Sequence, residues 1–459
     1  MTTLSDMLLQ KKKLPMHMPG HKRNAAKFEY LAQLCAEQDI TEITGFDNLH
    51  CAEGILKISQ EKAAALRGAD RAFFLINGST CGILAAVSAC VPFGGKILMA
   101  RNCHKSVYNA AELIHADSIY LTPEYEPVTG SCGSIQPQTV SEAVRRHPDA
   151  ALVIITVPTY EGIISDIAQI CKISHAAGIP VLVDAAHGAH FGYPGFPSSA
   201  VSCGADVVVE SLHKTLSSLT QTAVCYVSGS IANAEQIAKK LAVFETSSPS
   251  YLLLASIDGC INMLSENSEP LFCAWNEALD NFYRSAEMLK NIRLLTNNSG
   301  DFFGFDRSKI VMTSRKASGT EIFNLLRDAG IECEMSSAAY CLAMTGIGDT
   351  NETLSQLYDA LSEIDGKLSG SFTPFRLYPP LPEKVLPPHI AAAKPAEYVP
   401  VSQSAGRICA EYLWAYPPGI PIAVPGELIS SSCAETLTAY KNAGVEIKSA
   451  EKGEILVIK

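Results

Sequence analysis

This chain of 459 residues is poor in charge, with Asp, Glu, Lys and Arg making up 18% of it. Its longest basic run is Lys11-Lys12-Lys13 and its formal charge is −11, so it lacks the electrostatic footprint of a nucleic-acid or anionic-membrane binder. The first twenty residues lack the basic-then-apolar order of a secretory signal, because the same lysines interrupt any apolar run, and a cytoplasmic protein is expected. Its fifteen cysteines are odd in number and include no Cys-x-x-Cys pair. They read as free thiols in a reducing compartment, acting as small buried hydrophobes. Residues 72–95 carry no charge over 24 positions, a length that would suit a membrane span. Asn77-Gly78-Ser79-Thr80 breaks that run early, and Pro92, Gly94 and Gly95 break it late. It therefore reads as strand, loop and buried helix. No internal repeat is present.

What remains points to an α/β enzyme. Short apolar runs at 72–76, 96–99, 118–121, 151–157, 180–183 and 206–209 alternate with helix-compatible segments at 104–116, 140–147 and 167–177. That alternation predicts a mostly parallel sheet covered by helices. We divide the chain into an N-terminal arm (1–70), a large domain (71–295), a small α/β domain (300–370) with helices at 319–328 and 353–364, and a C-terminal domain (371–459). The last opens on eight prolines between 374 and 400, which exclude regular helix and central strand there.

Three constellations carry chemistry. Asn77-Gly78-Ser79-Thr80-Cys81-Gly82 lies between a strand and a helix, where glycine permits close approach and the helix N-terminus offers N–H groups to a phosphate. By itself it reads more readily as an ordinary helix cap, and it gains force only from the motifs that follow. Val181-Leu182-Val183-Asp184 ends a strand in an acid, at the sheet edge where open α/β folds place ligands. A partly buried carboxylate there would keep a pyridine nitrogen protonated. In Glu210-Ser211-Leu212-His213-Lys214-Thr215, Lys214 is the one charged residue between 211 and 231. Partial desolvation lowers a lysine pKa and makes the amine nucleophilic, as Schiff-base formation requires. His104 follows another strand and could lay a flat ring against a planar cofactor. Two rival readings are weaker. Asp184, His187 and His190 lack further metal-ligand spacing, and Ser211-x-x-Lys214 lacks the companion motifs of acyl-enzyme hydrolases.

The ordered series Met18-Pro19-Gly20-His21-Lys22, Asp39-Ile40-Thr41-Glu42, Asn77-Gly78-Ser79-Thr80, Arg101-Asn102-Cys103-His104-Lys105-Ser106, Thr159-Tyr160-Glu161-Gly162, Asp184-Ala185-Ala186-His187-Gly188-Ala189-His190, Ser211-Leu212-His213-Lys214, Thr246-Ser247-Ser248-Pro249-Ser250-Tyr251 and Tyr416-Pro417-Pro418-Gly419 resembles the fold-type-I pyridoxal-phosphate enzymes. Within these it resembles the Orn/Lys/Arg decarboxylases over nearly the whole chain. The resemblance implies that Lys214 holds pyridoxal 5'-phosphate as a Schiff base, Asp184 pairs with the pyridine nitrogen and His104 stacks on the ring. Ser79, Thr80, Ser211 and His213 would bind phosphate, with Ala186, His187 and Ser248 also in the cofactor site. It further implies a homodimer, with the segment 246–251 reaching the partner's cofactor, and a short form without the N-terminal wing domain, for which a large decamer is not expected.

The implied reaction is decarboxylation of arginine, lysine or ornithine to an amine that feeds polyamine synthesis. Lys214 or His213 would then protonate the product carbon. Transamination or side-chain cleavage on the same scaffold is the alternative, because fold alone does not fix chemistry. The chain departs from the family pattern at Asn24, Ala185 and Leu212, which loosens the choice of substrate. For the substrate's distal cation the sequence offers Asp47, Glu161, Glu411 and Glu427 without ranking them.

Overall fold

The computed structural model describes the chain except residues 1–2, 11–12, 25, 28, 127–128, 298, 300–301, 374–380, 417–419, 443–445 and 449–452. Seven strands form the central sheet: β1 (Arg71–Leu75), β2 (Lys96–Ala100), β3 (Asp117–Leu121), β4 (Ala150–Thr156), β5 (Val181–Asp184), β6 (Val207–Ser211) and β7 (Ala223–Val227). Their spatial order is β1-β7-β6-β5-β4-β2-β3. The four pairs from β3 through β6 are parallel, and β7 runs antiparallel to both β6 and β1.

The predicted apolar runs end within a residue or two of six of these strands. They do so because strands such as Ala-Ala-Leu-Val-Ile-Ile-Thr are buried along nearly their whole length and need no alternation. The seventh strand, β7, is not among the expected ones. It lies in the uncharged stretch after Lys214, is fully buried, and pairs antiparallel with β6. Helix Gly78–Cys90 sits close on the sheet: a Cβ at Gly82 would come within 2.6 Å of Leu75 Cδ1 and 3.2 Å of Val209 Cγ1. Glycine there lets the helix settle against β1 and β6.

Helix Tyr251–Ala286 leaves the large domain and is kinked at Asn267, ahead of Pro270, which cannot donate to the preceding turn. Its buried Trp275 donates to Thr345 Oγ1 at 3.1 Å, tying it to the next unit. That unit is an antiparallel sheet of Ile292–Leu294, Lys309–Ser314, Cys341–Met344 and Met335–Ser336 with helices Gly319–Asp328 and Asn351–Lys367. Strand Gly304–Phe305 pairs instead with Ile163–Ile164 of the large domain.

In the proline-rich region a short helix, Pro388–Ala392, begins on proline, where a missing N–H costs nothing. Ala396–Pro400 is a strand of a two-stranded sheet, an edge position that tolerates Pro400. The rest of that stretch, 374–380, lies outside the described residues, as does part of the Tyr416-Pro417-Pro418-Gly419 motif. Among the described residues no helix is long and apolar enough to cross a membrane. All fifteen cysteines are free, and three of them, Cys35, Cys51 and Cys273, are exposed, so the buried-hydrophobe reading holds for most but not all.

Candidate active site

The sheet brings the Asp184 and Lys214 motifs side by side, because β5 and β6 are neighbours with Asp184 opposite Val209. Asp184 is buried and its Oδ1 accepts the Ala186 N–H at 3.2 Å. Lys214 lies on the one-turn helix Leu212–Thr215 that interrupts the β6–β7 hairpin. Burial pushes its amine below the usual lysine range, against the pull of Asp184 and Glu334. The Lys214 Nζ is 2.9 Å from His187 Nε2. Burial, with the charges of Lys214 and Lys309, holds the His187 pKa well down and keeps the ring neutral. With Lys214 donating to Nε2, the ring proton sits on Nδ1, a buried atom that finds no partner among the described residues.

The anion-binding side is assembled through one turn. Gly78, at φ +77°, donates its N–H to the Gln221 carbonyl at 3.0 Å. The next carbonyl, of Thr222, accepts the Leu212 N–H at 3.2 Å and His213 Nδ1–H at 2.9 Å. The turn therefore stitches the two motifs together, and Gln221 adopts φ +85° to do so. Asn77 gives helix Gly78–Cys90 no side-chain cap, so the first-turn N–H groups beside half-buried Ser79 and exposed Thr80 keep their donors for a ligand. The Ser211 hydroxyl is fully buried and has no partner among the described residues. His213 is half-buried, its pKa pushed down by burial and by Lys214.

His104 caps helix Lys105–Leu113, with Nδ1 accepting the Ser106 N–H at 3.3 Å and the Ser106 hydroxyl 2.9 Å away. The residue is exposed and lies in the fields of both Asp184 and Lys214. A desolvated amine, a buried carboxylate, an aromatic ring in the field of both, an uncapped helix N-terminus and an unsatisfied buried hydroxyl fit a flat, phosphorylated aldehyde cofactor.

Ser248 stands apart. It is exposed on the turn before helix Tyr251–Ala286, takes Thr246 Oγ1 with its own N–H at 3.1 Å, and shares no hydrogen bond with the other expected site residues among those described. The acids expected to meet the substrate's distal cation are also spent elsewhere. Both Glu427 oxygens bind the Arg101 guanidinium, at 2.7 and 2.9 Å, in a fully buried bidentate pair joining the C-terminal domain to the end of β2. Removing one partner of such a pair costs about 3–5 kcal/mol. Asp47 accepts four backbone N–H bonds at 2.8 to 3.0 Å, which hold its carboxyl below the usual range against the cost of burial. Glu161 takes the Tyr340 hydroxyl at 2.6 Å, and Glu411 takes the Leu456 N–H at 2.6 Å.

The carboxylate that does face the site is Glu334, which the sequence does not single out. It is exposed, accepts the Tyr160 hydroxyl, and acts electrostatically on Lys214 and Lys309. The Tyr160 ring lies 4.5 Å from that of His187. Lys309 and Asp306, both fully buried, escape sequence reasoning as well. A lysine at the head of the apolar run Ile310-Val311-Met312 is the signal that could have found them. His190, a metal-ligand candidate by sequence, bonds Asp306 Oδ1 at 3.1 Å instead.

Residues 3–329 match the model of the Orn/Lys/Arg decarboxylase major domain, and residues 375–449 that of its C-terminal domain. The chain is 30% identical to the arginine decarboxylase of Bacillus subtilis over 96% of its own length and 94% of that protein. It is 32% identical to the arginine decarboxylase of Halalkalibacterium halodurans, over 95% and 92%. Among solved structures it is similar to the Francisella novicida lysine decarboxylase LdcF, with a TM-score of 0.84 at 18% identity, covering 100% of this chain and 81% of that one. A serine palmitoyltransferase solved with pyridoxal phosphate aligns at a TM-score of 0.56 and 14% identity, over 75% of this chain and 84% of that one. These likenesses establish the fold-type-I architecture.

Proposed function

This chain belongs to the Orn/Lys/Arg decarboxylase family and is a basic-amino-acid decarboxylase, and from that premise we propose that arginine is its substrate and that Lys214 carries pyridoxal phosphate. The carrying observation is the desolvated Lys214 amine, 2.9 Å from a neutral His187 and in the field of Asp184. Bound there, the cofactor would supply the electron sink for the pair left on the substrate's α-carbon when carbon dioxide departs. Everything else falls to the protein. Asp184, as a buried anion, holds the proton on the cofactor's ring nitrogen. Ser211, Ser79, Thr80 and the N–H groups of the first turn hold phosphate. His104 supports the ring.

His213, its Nδ1–H fixed on the Thr222 carbonyl, leaves Nε2 as the atom that would take up a proton and deliver it to the product carbon, a task it shares with Lys214. Glu334 receives the substrate's guanidinium, and the Tyr160 ring over His187 shields the amine from water. The arginine assignment is supported by the arginine decarboxylases that the chain resembles over nearly full length. The exposed turn at Ser248 suits a homodimer in which that segment meets the partner's site, and fifteen free cysteines suit a cytoplasmic location.

The deciding experiment incubates the pure chain and pyridoxal phosphate with arginine, lysine or ornithine in turn, following carbon dioxide and amine. Arginine should yield both in equal amounts. Faster turnover of lysine or ornithine would refute the substrate, and release of a keto acid instead of carbon dioxide would refute decarboxylation.

A further inference from the structure

Lys309 is a buried lysine for which the decarboxylation has no use. It is fully buried, and its Nζ finds no hydrogen-bond partner among the described residues. Among the described residues its ion-pair partner is Asp306, with Oδ2 4.0 Å away, and Glu334 acts on it from farther off. That carboxylate is already engaged by His190 Nε2 at 3.1 Å and the Ser308 hydroxyl at 2.9 Å. An unsatisfied buried ammonium is expensive, and position 309 opens a strand where an apolar residue would pack without that cost.

The surrounding contacts close a ring on Lys214. From Asp306 the path runs through His190, whose Nδ1 is 3.3 Å from the hydroxyl of Thr215, the residue next to Lys214. In the other direction the Lys309 stem rests on Gly162, where a Cβ would come within 2.9 Å of Lys309 Cγ and 2.8 Å of the Asp306 carbonyl. The same loop carries Tyr160 against His187, and His187 contacts the Lys214 amine at 2.9 Å. The small domain thus reaches Lys214 from two sides, and the cation it brings is Lys309.

We propose that Lys309 is a positioning residue for Lys214, its buried charge setting the pH range in which Lys214 and His187 work, with Asp306 as the opposing charge. The inference rests on the reading of Lys214 as the cofactor's anchor. The charged and titratable groups facing Lys309 are Asp306 from the preceding turn, Lys214 from the β6–β7 hairpin, His187 and His190 from the loop after β5, and Glu334 from the small-domain hairpin. The repulsion between Lys214 and Lys309 is mutual, and burial with that repulsion brings Lys309 itself down to about 8. It is a cation through most of the neutral range.

The test is a spectrophotometric pH titration of the visible band of pyridoxal phosphate bound to the full chain, with turnover left aside. A nearby cation disfavours the protonated, long-wavelength form. Lys309→Met should therefore raise the midpoint by about one pH unit, a tenfold change in proton affinity. Lys309→Arg should restore it, and Asp306→Asn should lower it. A purely structural role would not move the midpoint in opposite directions in the two variants. If Lys309→Met does not fold, the Asp306→Asn titration decides. A midpoint unmoved in either variant overturns the proposal while leaving Lys214 as the anchor. An unaltered chain with no visible band overturns both.

Discussion

At the large-domain wall of the site each polar group stands within a few residues of a strand end, whereas at the small-domain wall the groups are single residues separated by long stretches of ordinary sequence. Asp184 closes β5, Ser211 closes β6, Lys214 follows three residues later, and His104 comes four residues after β2. Across from them, Asp306, Lys309 and Glu334 come from a turn, a strand start and a hairpin of another sheet. The first wall uses the geometry of a parallel sheet, which aligns strand C-termini and helix N-termini on one edge. The second uses docking of a separate antiparallel sheet, through the pairing of Gly304–Phe305 with Ile163–Ile164 and the Trp275–Thr345 bond. On the proposed function the two walls divide the labour, the first holding the reacting groups and the second supplying charge and substrate contact.

Three substitutions separate those roles. Lys214→Ala should have the largest effect, reducing turnover to background and abolishing the covalent mass increment left by borohydride reduction with pyridoxal phosphate. Persistence of that increment would move the anchor elsewhere, with Lys309 the first residue to inspect. Glu334→Gln keeps the Tyr160 contact and removes the charge. It should raise KM for arginine by about ten- to a hundredfold, the worth of one charge-assisted bond, with a smaller change in kcat. An equal fall in kcat at unchanged KM would place Glu334 among the reacting groups and erase the distinction between the walls. Ser211→Ala should have the smallest effect. It removes a buried hydroxyl that has no partner among the described residues, so the thermal midpoint of the cofactor-free chain should hold or rise, while cofactor affinity falls by about tenfold. A clear loss of stability without cofactor would mean that Ser211 serves the fold.

Most of the first wall is legible in the amino-acid sequence, because its residues sit in short contiguous motifs whose local setting already implies their surroundings. A strand ending in Asp184 announces a buried carboxylate, and Lys214 in a stretch without other charges announces a desolvated amine. The carboxylates are another matter. Asp47, Glu161, Glu411 and Glu427 resemble Glu334 in sequence, and what distinguishes Glu334 is that it is exposed and acts on Lys214, whereas the others hold backbone N–H groups, Tyr340 or Arg101.

What the sequence determined by itself was the class of sheet, the family motifs and which lysine to propose as the anchor, because each depends on residues close together in the chain. Only the tertiary structure decided that Lys309 and Asp306 close a ring around that lysine, that Glu427 is committed to Arg101, and that Glu334 faces the site. Those outcomes depend on contacts between residues far apart in the chain, and on the desolvation that only packing imposes.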